Sequence, residues 1–472
     1  MISNEKEKEK LICLAGHGKV DAITMLPGGG GDRKYFRILF KDGKSAIGTV
    51  ADDLKDSKAF VRLADAFAKN GVQVPRIYSN SPDYKYYIQE DLGDLSLYDI
   101  IKADSPEIEN ILRSTIKELV KMQTVPKSHW EEEVAYAPFS ERLVKWDLNY
   151  FKYEFLKPLQ IVFDEDALED DFDRLACDIM AAPKSLWGFQ MRDCQSRNIL
   201  VKDNKPWFID FQGGRYGPVV YDAVSLLWQA KANFPSALKE KMLEEYARCY
   251  SDKTGADYHE IIESSGIFIL FRTLQVLGAY GFRGLIQKRA HFIESIPGAL
   301  KNLSTLISQR RIDKYPELKR VCETIVSDKR FENGENDKLT VKVFSFSYKK
   351  GYPEDYSGNG GGFMFDCRGM HNPGRYDEFK MLTGRDEPVK AFLKERREAD
   401  KFASQAFDIV KPSVETYLRR GFSSLQIGFG CTGGRHRSVY CADIMAEMLY
   451  NAFPEIRIEL QHRERDIKEI LE

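Results

Sequence analysis

The mostly apolar run Tyr35–Phe40 reads as a strand and Ser45–Val50 as its return strand, with Lys41-Asp42-Gly43-Lys44 as a tight turn between them, which predicts a hairpin near the start of the chain. The period then lengthens. Phe60, Leu63, Ala64 and Phe67 share one helical face, with Ser57 in place to cap the helix and Gly71 to stop it. Val72 to Pro75 leads to a further strand pair ending in Tyr86-Tyr87-Ile88-Gln89-Glu90. From about 93 to 325 the pattern is mainly helical, broken by strand-like Asn198–Val201 and Trp207–Phe211 around the turn Lys202-Asp203-Asn204-Lys205. Strand-like alternation follows at Leu339 to Phe346. A strand at Phe363–Asp366, helices over 388–420, a strand at Ser424–Phe429, a glycine turn and a helix from Ser438 then predict a compact α/β domain.

These changes of period set the boundaries. Residues 1–92 form a sheet-rich lobe, 93–326 a helical lobe and 339–472 a separate domain. Residues 327–338, charged and poor in apolar side chains, join them as a linker.

Composition narrows the classes. A chain of 472 residues exceeds one compact core, and 43% hydrophobic with 30% charged residues is ordinary for globular protein. Lys plus Arg number 70 against 72 Asp plus Glu, a net charge of −2, so nothing in the whole-chain balance calls for a polyanionic partner. The eight cysteines include no Cys-x-x-Cys pair, which argues against a disulfide framework or zinc site and for a reducing compartment. The N-terminus lacks the apolar stretch of a signal peptide. The most apolar segment, Gly266 to Phe282, is interrupted by Arg272 and Gln275 and predicts a buried helix. A cytoplasmic protein with no membrane partner is the expectation.

Phosphoryl transfer needs a group to orient the acceptor hydroxyl, ligands for a metal ion, and a cover over the phosphates. Met191-Arg192-Asp193-Cys194-Gln195-Ser196-Arg197-Asn198 supplies an Asp and an Asn five residues apart, and Ile209-Asp210-Phe211-Gln212-Gly213 brings a second Asp twelve residues later. That order and spacing match a kinase catalytic loop and its metal-binding Asp: Asp193 to take the hydroxyl proton, Asn198 and Asp210 to hold Mg2+. Upstream, the glycine run holding Gly29, Gly30 and Gly31 lets backbone amides approach ATP phosphates, with Arg33 and Arg37 beside it. It is not a Walker-type loop, because no Gly-Lys-Ser/Thr follows. Glu90 and Leu92 belong to a hinge at Gln89–Asp94 that would meet the nucleotide. Fold class follows: an α+β bilobal, protein-kinase-like domain, then a compact α/β domain.

Those motifs, with Asp32-Arg33-Lys34-Tyr35-Phe36-Arg37, Gly71-Val72-Gln73-Val74-Pro75 and Gly213 to Pro218 before Tyr221-Asp222, make residues 20–310 resemble the aminoglycoside phosphotransferase family. The resemblance is closest to anomeric kinases of N-acetylmuramate and N-acetylglucosamine in cell-wall recycling, and it implies ATP, Mg2+ and an amino-sugar substrate. Two departures stand out. Met191 replaces the family's catalytic-loop His, and Gly48 sits where a kinase places its phosphate-pairing lysine, while 55–70 holds no Glu to partner one. Either Arg33, Lys34 or Arg37 supplies the missing charge, or the domain binds without efficient turnover. Glu141 to Pro158 mixes aromatic and acidic residues as sugar sites do, but a plain amphipathic helix is the commoner source of that pattern, and it assigns no sugar ligand.

A second site follows the strand at Ser424–Phe429. Cys431, Thr432, Gly433, Gly434, Arg435, His436, Arg437 and Ser438 place glycines ahead of a helix N-terminus, an amide nest for a phosphate that three basic side chains would reinforce. Cys431-x5-Arg437-Ser438 also fits the loop of cysteine phosphatases, although Gly430 stands where those enzymes usually carry His. Phe365-Asp366-Cys367-Arg368, Asn372-Pro373, Leu382-Thr383-Gly384, Gly430 to Val439 and His462-Arg463 make residues 339–470 resemble the C-terminal domain of the RNase adapter RapZ. That implies an amino-sugar phosphate ligand. RNA binding is not carried over, because RapZ's Walker-type N-terminal domain is absent. Three readings follow: a sugar kinase with a phosphate-sensing domain, a non-catalytic ligand-gated adapter for RNA or protein, or a sugar-phosphate phosphatase using Cys431.

Overall fold

The computed structural model describes residues 2–26, 33–103, 105–331, 339–353, 362–420, 422 and 424–471. Gly29, Gly30 and Gly31, and linker residues 332–338, lie outside the described residues. The chain divides into two compact units, Met1–Ile286 with Glu294–Phe331 and Gln287–Ile293 with Glu332–Glu472.

The first unit opens with an antiparallel sheet of β1 (Val20–Met25), β2 (Lys34–Phe40), β3 (Ser45–Val50), β4 (Ile77–Asn80) and β5 (Tyr86–Glu90), ordered β1-β2-β3-β5-β4. One face buries Phe36, Ile38, Ala46, Val50 and Ile88 against Leu11 of the Ile2–Ala15 helix. Gly48 lies on this face, where a Cβ would sit 3.0 Å from both Leu11 Cδ1 and Ile38 Cδ1. The expectation that Gly48 holds the lysine position is therefore corrected, since a side chain there would run under the first helix. Strand periodicity turns the next residue the other way. Thr49 pairs with Tyr87, whose ring lies 5.7 Å from Phe60 on the Leu54–Lys69 helix. That helix is capped by Asp53, which accepts from the Asp56 amide. Ser57, expected as the cap, is buried one turn inside and donates to the Tyr84 carbonyl.

The second half of this unit is helical around Tyr258–Tyr280, which buries Phe268, Leu270, Phe271, Leu274 and Leu277. Among the described residues, Tyr258–Ile286 is the one helix long and apolar enough to cross a membrane, and its most apolar 18-residue window is 61% buried in the protein. Two ribbons interrupt the helices. β6 (Trp187–Gln190) pairs with β9 (Arg215–Pro218), and β7 (Ile199–Lys202) pairs with β8 (Lys205–Phe208). The β7–β8 turn has Asp203 and Asn204 at φ 52° and 56°, the backbone a two-residue hairpin requires. Ile209–Phe211, expected in the strand, leave it because Asp210 adopts φ 61°.

In the second unit β10 (Thr340–Ser347), β11 (Gly362–Asp366), β12 (Ser424–Cys431), β13 (Arg457–His462) and β14 (Ile467–Leu471) form a mixed sheet ordered β11-β12-β10-β13-β14, parallel except for β14. Its core holds Val343, Ile427, Phe429, Met445, Leu449 and Ile458. Phe363–Asp366 falls in β11, a half-exposed strand at the edge of the sheet. The expected helical stretch is two helices, Glu387–Arg396 and Glu398–Arg420, separated by left-handed Arg397. The chain leaves β10 for β11 on one side and β12 for β13 on the other. The carboxyl ends of adjacent β10 and β12 thus form the kind of crevice where α/β sheets take ligands.

Candidate functional site

In the first unit, the segment after β6 is fixed from below. Asp222, fully buried, accepts from the Met191 amide at 2.6 Å and the Arg192 amide at 2.9 Å. Burial lifts its carboxyl to about 7, against the amide donors that oppose the rise. Met191, at the usual His position, is itself fully buried. Arg192 is held at φ 76°, and its guanidinium pairs with Asp147 of the Glu141–Phe151 helix. With that backbone set, Asp193, Asn198 and Asp210 converge. The Asn198 amide nitrogen donates to the Asp193 carbonyl at 3.0 Å and lies 3.4 Å from Asp193 Oδ2 and 3.5 Å from Asp210 Oδ2. Both carboxylates remain open, with side chains 47% and 40% exposed. Gln212 donates to Asp210 at 2.8 Å.

Among the three basic candidates, Arg33 stands nearest this cluster, with Nη1 3.7 Å from Asp210 Oδ1. Lys34 pairs with Glu7 at 2.8 Å. Arg37 is bound on both edges by the hinge, 2.7 Å from Asp91 and 2.8 Å from Asp94. Lys202 of β7 ties the hinge down from the other lobe, donating to Glu90 at 3.0 Å and to the Asp91 carbonyl at 3.1 Å, while Leu92 is buried beside them.

Behind Asp193 lies a polar network that the sequence reading missed. Arg272 approaches Asp193 Oδ1 at 3.5 Å and donates to Gln275 at 2.7 Å and to the Tyr221 hydroxyl at 3.0 Å. Gln275 in turn reaches Asp147 at 3.1 Å. Arg272 and Gln275 were visible as polar breaks in an apolar helix, a signal that such residues face a polar site.

In the second unit, Cys431 ends β12. Its Sγ accepts from the Gly434 amide at 3.2 Å and stands 3.1 Å from Ser438 Oγ. Burial opposes ionisation of this thiol, but the Ser438 hydroxyl and the amides of Ser438, Arg435 and Gly433 bring its pKa below the ordinary cysteine value. Gly434 is left-handed at φ 62°, and a Cβ there would meet Glu464 Cγ at 2.4 Å and the Ser347 amide at 3.0 Å. Ser347 Oγ donates to the Thr432 carbonyl at 2.8 Å, joining the end of β10 to the loop.

The basic side chains do not simply line this nest. Arg435 donates to the Lys380 carbonyl, and His436 Nε2 bonds the Phe379 carbonyl at 2.9 Å. Arg437, 4% exposed, donates to the carbonyls of Arg368 at 3.0 Å and Met370 at 2.8 Å. Each fastens a flanking segment by donating to its backbone carbonyls. Arg437 Nε remains buried without a partner.

The two-lobed fold and the converged Asp193–Asn198–Asp210 cluster define the class as a kinase-like phosphotransferase. Residues 22–262, just over half of the 472, match the phosphotransferase enzyme family, and the chain belongs to that family. Residues 339–466 match the RapZ C-terminal domain. A nucleotide-binding protein of Thermotoga neapolitana is 40% identical over 111 residues, 24% of this chain and 38% of that protein. One of Fusobacterium nucleatum is 29% identical over 214 residues, 43% of this chain and 71% of its own. The chain thus spans well under half the length of the first of these relatives. Among solved structures, Plasmodium vivax ethanolamine kinase matches 59% of this chain and 81% of its own at 14% identity and a TM-score of 0.44. The architecture rests on the chain's own strand order and the family match rather than on that distant likeness.

Proposed function

We propose that the first unit is an ATP- and Mg2+-dependent kinase for an amino sugar of the N-acetylmuramate or N-acetylglucosamine type, and that the second binds an amino-sugar phosphate. The observation that carries the kinase reading is the Asn198 amide set between the Asp193 and Asp210 carboxylates, all within 3.5 Å. The donor set is oxygen-rich and open, as Mg2+ prefers, and one carboxylate with one carboxamide leaves most of its coordination to water and phosphates. Among the described residues no group of three or more His, Cys, Asp or Glu forms a metal cage, and this kind of site needs none. Asn198 and Asp210 would hold the ion. When bound, magnesium–ATP supplies the phosphoryl group and offsets its charge.

The chain's own residues do the rest. Asp193 receives the acceptor hydroxyl's proton on a carboxylate oxygen and fixes the direction of attack. Arg33 places a guanidinium beside Asp210, where the usual lysine is missing. Asp222 keeps the catalytic loop in register through two amides. For the second unit, the Thr432–Arg435 amides and the loop's position at the carboxyl end of β12 support phosphate binding.

A second reading, a non-catalytic adapter, draws on the Arg272–Asp193 contact and on the Leu54–Lys69 helix, which holds no Glu. ATP consumption over a panel of amino sugars, repeated with Asp193→Ala, separates the two. Sugar-dependent turnover abolished by Asp193→Ala supports the kinase. Nucleotide binding without turnover on any sugar favours the adapter.

A further inference from the structure

The Cys431 loop holds more chemistry than anion binding requires. An amide nest binds phosphate without a thiol at its base. Here the Gly434 amide and Ser438 hydroxyl converge on Sγ at 3.2 and 3.1 Å. Donors aimed at sulfur favour the thiolate, the nucleophilic form. Independently, Arg437 is 96% buried by its 4% exposure, and its Nη1 donates to two carbonyls while its buried Nε has no acceptor. A buried donor of this kind is costly unless a ligand oxygen completes it. Thiol, hydroxyl and guanidinium all come from the stretch Cys431–Ser438.

We propose that Cys431 is the nucleophile of a phosphomonoesterase activity, separate from the kinase site and independent of ATP. The Cys431 thiolate attacks phosphorus, forming an S–P bond as the P–O ester bond breaks. The departing alkoxide takes a proton from water. A second water, giving a proton to the hydroxide so formed, then attacks phosphorus, the S–P bond breaks, and inorganic phosphate leaves as the thiolate is restored. The sum is monoester plus water to alcohol plus phosphate.

The carboxylates around the loop decide the substrate preference. Glu464 is held by Lys350, Arg463 and the Ser347 amide, Asp366 by Arg368, and Asp386 by Thr383. Among the described residues, these three carboxylates are thus engaged with cations, amides or a hydroxyl rather than left free to protonate a leaving group. The rate therefore follows leaving-group acidity, and p-nitrophenyl phosphate is hydrolysed faster than glucosamine 6-phosphate.

The test uses the full chain with p-nitrophenyl phosphate, without ATP and with a chelator present. Cys431→Ser should lower hydrolysis by at least ~100-fold, whereas Cys13→Ser, at an exposed cysteine, should leave it unchanged. Iodoacetamide should label Cys431 of the wild type in step with loss of hydrolysis, and inorganic phosphate should slow both. Absence of hydrolysis in the wild type overturns the proposal, as does hydrolysis that survives in a folded Cys431→Ser. Should that variant not fold, wild-type activity that persists after Cys431 is fully alkylated overturns it equally.

Discussion

In the proposed function the two units would meet phosphate with different materials. The first brings together side chains: two open carboxylates, a carboxamide and an arginine, drawn from β2's approach, the catalytic loop and the turn after β8. The second uses peptide groups, and its basic side chains are largely engaged in holding neighbouring segments. A side-chain site fails when one functional group is removed. A backbone site fails when its shape is lost. Substitutions of the two kinds should therefore separate the units cleanly.

The largest effect belongs to the first. Asp210→Ala should reduce sugar phosphorylation by at least ~100-fold, because losing a metal ligand removes much of the charge neutralisation of the phosphates. Its melting temperature should stay near wild type, since the carboxylate is 40% exposed and open. Parallel loss of activity and folding would erase the contrast.

Next comes the buried clamp. The Asp222 carboxyl is raised to about 7 in the folded protein, so the native state binds more protons than the unfolded chain between about 4 and about 7. Stability attributable to this group is full at the acid end and falls as pH rises through the window, by at most about 1.4 kcal/mol per pH unit. Urea titrations of wild type and Asp222→Asn across that range should show the slope only in the wild type. A slope shared by both proteins would assign it elsewhere.

The backbone site is probed in a Cys431→Ser background, which should itself bind glucosamine 6-phosphate undiminished and keep it intact. There Arg437→Ala should weaken binding by roughly 10- to 100-fold, equivalent to about 1.4 kcal/mol per tenfold. Because Arg437 also serves the Arg368 and Met370 carbonyls, the apo protein should melt earlier too. Arg437→Lys should recover part of each. Calorimetry with unchanged affinity would confine Arg437 to a structural part.

Shape gives a similar effect by another route. Gly434→Ala forces a left-handed alanine against Glu464 and should cost about 1–3 kcal/mol together with ligand affinity. Gly433→Ala, with open space at its Cβ, should remain within about 0.5 kcal/mol of wild type. Equal costs at both positions would contradict the geometry.

The smallest effect compares two arginines of the first unit. Arg33→Ala should raise the KM for ATP by about tenfold, the loss of one charge-assisted contact. Arg37→Ala, whose guanidinium is already bound by Asp91 and Asp94, should change KM by less than about threefold and stability by no more than about 1 kcal/mol. Steady-state kinetics on both variants decides the order.

What the sequence made legible were the groups that act within a short stretch. Asp193 and Asn198 are spaced by the loop itself, and Cys431 to Ser438 is one continuous strand–turn–helix. Asp222 stood in a recognised motif, but its grip on two amides thirty residues earlier depends on tertiary folding. The engagement of Arg435, His436 and Arg437 was hidden for the same reason, since their acceptors lie more than fifty residues away. Gly48 was misplaced by a different cause. Alignment to a kinase pattern fixes position along a strand, whereas a slip of one residue exchanges its faces.

That strand carries one further consequence. Leu11 fills the space beside Gly48 that any larger residue would need, so the Ile2–Ala15 helix and β3 are fitted to each other as a pair. Neither position is free to vary alone. Among descendants of this chain, a side chain gained at 48 should be accompanied by a smaller one at 11, and such paired exchanges would be a heritable trace of the helix lying over the sheet.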